Sequence, residues 1–521
     1  MKYDLAVIGS GFGGTLSALI ARKIGLSVLL VEKEEHPRFV IGESTTPLTN
    51  LYLEEIAGKY ELDEILHLCK WGSWQRTYPE VPVGLKRGFS FFHHDAHKPF
   101  EDDKLHQNQL LVAANPHSEL GDTHWYRPDF DHLLVTFAQR AGIEYRDKTT
   151  ITDIHFLDDE VRLETRSRGN QNEYRANFII DATGPNSFLN QKLNLPIEHR
   201  YPDLPDRQGL YTHFRNVGLT EEWIKKNGKN ELPYHPDDAA MHHIFDEGWI
   251  WVLRFNNGIV SAGVSLKDEM ARKIHLEEGA PAWERLLNRY PSIKKLFENA
   301  TIIYPFKHLE HLSYRCDRIV GERWAMLPSA AGFIDPLMSM GFPLNLRGIM
   351  RLGEIFEHIN EPYERKELLK EYEVLTKKER EASAKIIAAL YAHINDFELF
   401  SKISLLYFAA ASYSESAIRL GKPELAKTFL LYDHPVFGEK ALRCYEDAMH
   451  ITSKSEKDTL IQDIFKTIQS IDVAGFGKKE HHNWYPVDGN DMIMNAQKLH
   501  TSIKDINYYL HESGFYPTDR R

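Results

Sequence analysis

"YDLAVIGSGFGGTLSALIARKIGLSVLLVEKE", residues 3–34, decides the fold. "LAVIG" is a continuous apolar run closed by glycine, the pattern of a strand buried in a parallel sheet. Gly9, Gly11 and Gly14 then form G-x-G-x-x-G, an apolar helix follows, and "SVLLVE" is a second strand ending at Glu32. Each glycine has its reason. The first allows a tight turn, the second lets backbone approach a pyrophosphate, and the third lets the helix lie close on the strand. The pyrophosphate is expected on the helix N-terminus, where unpaired N–H groups face it. A carboxylate at Glu32 accepts hydrogen bonds from an adenosine ribose and repels a 2′-phosphate, which disfavours NADP. The segment therefore predicts an α/β protein that begins with a Rossmann-type dinucleotide domain.

The rest of the chain bounds the possibilities. At 521 residues it is too long for one core, and two or three domains are expected. Its 42% hydrophobic and 26% charged residues are ordinary for a soluble globular protein. The net charge of −12 argues against a nucleic-acid binder. No apolar run reaches bilayer length and no signal peptide is seen, so no membrane partner and a cytoplasmic location are expected. Cys69, Cys316 and Cys444 form no CxxC pair, which excludes a disulfide framework and a cysteine-rich metal site. The pairs His93-His94, His242-His243 and His481-His482 each offer one ligand at most, because adjacent strand residues face opposite ways. No metal site is expected. His94 and His243 are candidate bases in a pocket.

Further landmarks follow the second strand. "HPRFVIGEST" (36–45) places Arg38 and a Gly-Glu-Ser step there, and Ser44 belongs to that step. "HWYRPDFDHLLVTFAQRAGIEY" (124–145) runs into a helix with Arg127 before it. "ANFIIDATGPNS" (176–187) is a buried strand ending in Asp181-Ala-Thr-Gly184. This succession resembles the FAD-binding fold of the aromatic hydroxylases and their relatives. The resemblance implies that Arg127, Asp181 and Gly184 lie near FAD. "RWAMLPSAAGFIDPLMSMGFPLNLRGIMRL" (323–352) reads as strand, small residues, Asp335-Pro336, glycine and helix, and the resemblance puts the isoalloxazine there. The relatives usually carry Gly-Asp where this chain has Pro328-Ser329; a ribityl contact is thereby lost, and Ser329 could supply a weaker one. The cofactor-side set is thus Gly9, Gly11, Phe12, Gly13, Gly14, Glu32, Lys33, Arg38, Ser44, Arg127, Asp181, Gly184, Asp335 and Gly341.

Phe333, Pro336, Ser339 and Gly341 form F-x-x-P-x-x-S-x-G, which resembles the signature of the flavin-dependent halogenases. The resemblance implies a halide site at Ser339, Met340 and Gly341. "GWIWVLRF" (248–255) resembles the W-x-W-x-I-P motif of the same family. On a strand Trp249 and Trp251 share a face, and the resemblance makes them a partition between flavin and substrate. Leu253 replaces isoleucine and Arg254 replaces proline, the second a real departure. In "VPVGLKRGFSFFHH" (81–94), Lys86-x-Gly88-x-x-Phe91 resembles the family's K-x-G-x-x-F pattern. The resemblance makes Lys86 the catalytic group that captures or steers hypohalous acid, by hydrogen bond or as a haloamine. Its bland alternative is a solvated lysine at a strand start. Tryptophan halogenases have glutamate directly before the signature serine; Met338 stands there, which points away from free tryptophan and towards a phenol- or pyrrole-like substrate.

The resemblance implies a FADH2-dependent halogenase that uses FAD, O2 and chloride or bromide. It also implies a separate flavin reductase and an aromatic substrate, free or tethered to a carrier protein. An FAD monooxygenase, a geranylgeranyl-reductase-like oxidoreductase and a non-catalytic flavin-binding or carrier-docking module are the rivals. The expected layout is a discontinuous aromatic-hydroxylase-like FAD domain (1–48, 126–195 and 315–350). An inserted β-rich substrate domain (49–125 and 196–314) carries Lys86 and the tryptophans on one sheet. A helical C-terminal domain (351–521) caps the substrate side.

Overall fold

The first strand, Lys2–Ile8, is apolar throughout its buried length and lies at the centre of a parallel sheet. The computed structural model describes residues 2–220, 223–224 and 232–516, so the expected segments 196–314 and 351–521 fall partly outside the described residues. The parallel strands run in the order Trp324–Met326, Asn170–Asp181, Lys2–Ile8, Val28–Val31 and Glu144–Arg146. Ile8 pairs with both Asp181 and Val31, and Asp181 pairs with Met326, so the carboxyl ends of four strands are level. A crevice outside those ends is where such sheets bind ligands. The helix Phe12–Lys23 packs on this sheet after a turn at Gly9, whose φ of +100° suits only glycine. A Cβ at Gly14 would run into the Gly9 carbonyl, so the helix can approach the strand only with glycine there.

A nine-stranded sheet lies beyond that crevice. Its order is Thr301–Ile302, Arg207–Arg215, Ile259–Lys267, Gly248–Arg254, Ala240–Phe245, Gly88–His93, Gln109–Ala113 and Trp484–Tyr485, with Lys307–Leu309 also on Arg207–Arg215. Most pairs are antiparallel, but Ala240–Phe245 runs parallel to Gly88–His93. The strand Gly248–Arg254 is buried on both faces. Trp249, Trp251 and Leu253 join the main core, whereas Ile250 and Val252 join a second core on the opposite face. The period-two alternation that sequence predicts for the indoles is present.

Two expectations about layout are corrected. Lys86 is not on the tryptophan sheet. It ends the short strand Val83–Lys86, which pairs only with Asp122–Trp125, Lys86 standing opposite Asp122. The region after 351 is not purely helical either. Its long helices Pro362–Ala392 and Phe397–Arg419 are followed by the strand Trp484–Tyr485, which extends the nine-stranded sheet alongside Gln109–Ala113. No turn pattern could disclose that strand, because its partner lies more than 370 residues away.

Candidate active site

The crevice at the sheet's carboxyl edge has the features of an anion cradle. A Cβ at Gly11 would meet only side-chain ends, Arg127 Nη2 at 3.6 Å, Asp131 Oδ2 at 3.7 Å and Arg38 Nη2 at 3.9 Å. The protein itself therefore has room for a side chain there, and close approach by a ligand is the remaining reason for glycine. Two guanidinium groups face this point, at a helix N-terminus that already favours anions. Glu32 ends the second strand and accepts from Ser10 N (3.0 Å), Ser10 Oγ (3.1 Å) and Glu34 N (3.0 Å), with Arg38 at 3.3 Å. Burial alone would raise its carboxyl, but Arg38 and the N–H donors hold it below the usual range. The donor set fits a dinucleotide with a pyrophosphate over Gly11 and a ribose at Glu32.

The expected cofactor residues meet that cradle in different ways, and Gly13, Asp181 and Lys33 do not face it. Arg127 is buried and bidentate to Asp131 (2.7 and 2.8 Å), and it also donates to the Gly42 carbonyl (2.8 Å) above the Phe12 ring. Asp181 directs its oxygens to Thr183 N, Thr183 Oγ1, Ser187 Oγ and Leu189 N, all within the turn that carries Gly184. Its effect is to hold that turn. Gly13 packs against Asn345 and Leu327, inside the protein. Lys33 is exposed.

Asp335 is deeper than a cofactor contact would be. It pairs with Arg207 Nε at 3.0 Å and accepts from Leu337 N (2.9 Å), Tyr391 OH (3.0 Å) and Ser265 Oγ (3.2 Å). Tyr391 in turn accepts from Trp249 Nε1 at 3.0 Å. One buried network thus ties the loop 335–341 to the tryptophan strand and to the helix Pro362–Ala392. Burial pushes the Asp335 carboxyl up, against the pull of Arg207. The loop continues to Ser339, a non-glycine residue at φ +52°, and into the helix Gly341–Glu357. Such backbone costs about 1 kcal/mol or more and concentrates at functional sites. The first N–H groups of that helix have no intrahelical acceptor and open onto the loop.

Lys86 joins this loop through one residue. It is fully buried, and its ammonium donates to Ser44 Oγ at 2.9 Å and to the Thr45 carbonyl at 2.6 Å. Ser339 Oγ donates to the same Ser44 Oγ at 3.3 Å. The solvated-lysine alternative is excluded. Burial lowers the ammonium well below the ordinary lysine range, offset in part by Asp122 across the strand pair, while burial raises the Asp122 carboxyl. Lys86 Nζ also lies 3.8 Å from the Phe89 ring centre. From there rings follow one another to the tryptophans. Phe89 and Phe91 stack on His242 (6.0 and 4.4 Å), His242 lies 5.1 Å from Trp249, and Trp249 lies 5.8 Å from Trp251. Gly263, opposite Trp251, leaves the space its indole fills. Burial, reinforced by Lys86, drives His242 down to about 3, so it stays neutral. On the far side of Lys86, Phe89 and Asp122 also wall a cavity of about 210 Å³.

A family model described as tryptophan halogenase matches residues 123–396, just over half of the chain. The chain belongs to the tryptophan halogenase family. Its curated relatives include the monodechloroaminopyrrolnitrin halogenase of Pseudomonas fluorescens, 32% identical over 346 residues, and the tetracycline 7-halogenase of Kitasatospora aureofaciens, 30% identical over 354. Each alignment covers 65% of this chain, but only 59% and 60% of the respective relative. The chain therefore spans less than two thirds of the length of these two relatives. The fold is that of the halogenase PltM, whose crystal structure with phloroglucinol and FAD superposes with a TM-score of 0.81 over 92% of this chain and 99% of that one, at 23% identity. The flavin-dependent brominase Bmp2 superposes at 0.63 over 86% and 98%, at 21% identity.

Within this family Arg254 is the conspicuous departure from W-x-W-x-I-P, and the structure gives its reason. Its side chain projects away from the indoles, pairing with Asp237 (2.8 Å) and donating to the carbonyls of Val217 (3.1 Å) and Gly218. It closes the end of the strand rather than lining the tryptophan wall. Arg254→Ala leaves the buried Asp237 carboxylate with Thr220 alone as its donor, and a loss of about 2–3 kcal/mol is expected in urea unfolding. The indole-side environment, read from tryptophan fluorescence, should stay as in the unaltered protein.

Several residues of this site escape the motif reading. Asp122, Asn50, Arg207 and Tyr391 stand in no recognisable pattern, and each meets the site only through tertiary pairing. Glu43 and His213 form a fully buried pair at 2.7 Å beneath Phe39 and Tyr304. The Gly-Glu-Ser step flags Glu43, but nothing in sequence connects it to residue 213. Of the two candidate histidine bases, His94 and His243 bond to each other at 3.1 Å on the sheet face away from Lys86. The structure does not bring them to the cavity. The described residues contain no group of histidine, cysteine and carboxylate side chains arranged to hold a metal ion, and no helix long and apolar enough to cross a membrane.

Proposed function

We propose that the protein is a FADH2-dependent halogenase acting on an electron-rich, phenol- or pyrrole-like aromatic. The observation that carries this reading is the buried Lys86–Ser44–Ser339 chain, which ties the signature loop to a lysine whose neighbours Phe89 and Asp122 wall the cavity. Bound FAD, reduced by a separate reductase, would supply the electrons with which O2 oxidises chloride or bromide to hypohalous acid. Gly9, Gly11, Glu32, Arg38 and Arg127 would hold its dinucleotide portion. Ser339 and the free N–H groups of Met340 and Gly341 would receive the halide, being neutral donors beside a helix N-terminus. Trp249 and Trp251, locked through Tyr391, would keep the aromatic substrate off the flavin. Lys86 would take hypohalous acid from the loop side and present its halogen to the cavity. The carbonyl at Met338 is held by Tyr407 OH (3.0 Å), and the Met338 side chain is buried away from the cavity. No carboxylate reaches the substrate from that position, which favours an already activated ring.

The test is direct. Protein, FAD, a flavin reductase with NADH, O2 and bromide are incubated with resorcinol, and products are read by mass spectrometry. Brominated resorcinol that depends on bromide and on reduced flavin is expected. Hydroxylation without halide dependence, or NADH oxidation by the protein alone, would overturn the reading in favour of a monooxygenase.

A further inference from the structure

The cavity walled by Phe89 and Asp122 mixes apolar residues such as Phe408, Val473, Phe476 and Met492 with polar ones such as Asn115, Glu415 and Arg419. It lies between Phe89 of the nine-stranded sheet, the helix Phe397–Arg419 and the chain around Phe476 and Met492, and its rim includes the exposed Pro486 and Asp488. An apolar protein cavity of about 150 Å³ accepts benzene. A volume of about 210 Å³ therefore suits one substituted ring or a small fused pair. At one place on the lining Asn50 meets Asp122, with Asn50 Nδ2 donating to Asp122 Oδ1 at 2.6 Å. The other Asp122 oxygen and the Asn50 carbonyl oxygen have no hydrogen-bond partner, although the two residues are only 4% and 2% exposed. Buried polar atoms are almost always paired. Both unpaired atoms are acceptors, so the missing partner is a donor. Lys86 makes no hydrogen bond to either atom; its ammonium reaches Ser44 and Thr45.

We propose that this cavity binds the aromatic substrate and that Asp122, assisted by Asn50, receives its O–H or N–H hydrogen and accepts that proton during halogen transfer. The proposal rests on the halogenase reading and adds the substrate's recognition group: a phenolic hydroxyl or a ring N–H. For a phenol the step balances. The O–H proton passes to Asp122 while the ring carbon takes halogen from hypohalous acid. The carbon–halogen bond forms, and the oxygen–halogen bond breaks with its electron pair leaving as hydroxide. Hydroxide then removes the ring C–H proton to give water, and Asp122 returns its proton to the phenolate. Burial raises the Asp122 carboxyl above its ordinary range, so its ionised form is a stronger base, matched to a weakly acidic O–H or N–H.

Resorcinol and 1,3-dimethoxybenzene have similarly activated rings, but only the first donates a hydrogen bond. The unaltered enzyme should brominate resorcinol at least about 100-fold faster, a ratio within the reach of general-base catalysis. In Asp122→Asn that ratio should collapse to near one. Should Asp122→Asn fail to fold, Asn50→Leu decides, since it leaves both Lys86 and Asp122 unaltered. Calorimetric binding of resorcinol should weaken about 3- to 10-fold while binding of 1,3-dimethoxybenzene holds. An unaltered enzyme that never halogenates either ring overturns the halogenase reading. One that halogenates both at equal rates, or an Asp122→Asn variant that keeps its preference for resorcinol, overturns only the role of Asp122.

Discussion

Lys86→Met is expected to reduce brominated product to below about 1% of that of the unaltered protein, because a positioned proton-transfer or nucleophilic group typically supplies 10²- to 10⁴-fold. Methionine fills the buried volume and removes only the amine. The size of the loss follows from the lysine's surroundings. An ordinary lysine at neutral pH is under about 0.1% free amine. Burial lowers Lys86 well below the ordinary lysine range, which raises the share of free amine a haloamine requires, while its ammonium form remains a hydrogen-bond donor to hypohalous acid. No other described lysine shares the Ser44–Ser339 connection. The measurement is the yield of brominated resorcinol per reduced flavin consumed. A Lys86→Met protein that retains a tenth or more of the product would remove Lys86 from the mechanism.

Asp335→Asn should lower stability by about 3–5 kcal/mol, the range seen when one partner of a buried ion pair is removed. Arg207 would be left charged with a side chain only 1% exposed. Against a total stability of about 5–15 kcal/mol for a typical domain, that is a large share. Guanidinium unfolding followed by circular dichroism gives the value. The exposed pair Arg76–Glu119 is the control, since its removal should leave the midpoint unchanged. The loss should also reach the tryptophans. Asp335 accepts from Tyr391, and Tyr391 holds Trp249. A blue- or red-shifted tryptophan emission in folded Asp335→Asn would report a loosened wall. A midpoint within experimental error of the unaltered protein would show that the network is dispensable.

The two predictions draw on different kinds of information. The parallel sheet and its glycine turn are legible in residues 3–34, because a buried strand, a Cβ-free turn and an amphiphilic terminal acid are local consequences of local sequence. The halogenase resemblance likewise rests on short runs, the Phe333–Gly341 signature and the paired tryptophans. The shared face of Trp249 and Trp251 follows from strand geometry alone. Reading fails where contacts are long-range. Lys86 reads as a lone lysine in a pattern, and nothing local says that it is buried. Asp335 reads as a cofactor contact, yet it meets Arg207 in a sheet strand that begins 128 residues earlier. Arg254 looks like damage to a motif until Asp237 and the Val217–Gly218 carbonyls are seen around it.

By itself, then, the sequence determined the α/β class, the dinucleotide turn with its acidic strand end, and the indole pair on one face. All are set by φ/ψ limits, side-chain periodicity and steric room within about 30 residues. Tertiary structure alone decided that Lys86 shares Ser44 with Ser339, that Asp122 lies opposite it, and that a strand from residues 484–485 completes the sheet. Strand register and burial created those relations. Burial also moved the charges of Lys86 and Asp122 towards neutrality, because desolvation depends on every segment that closes over a group and not on the residues beside it in the chain.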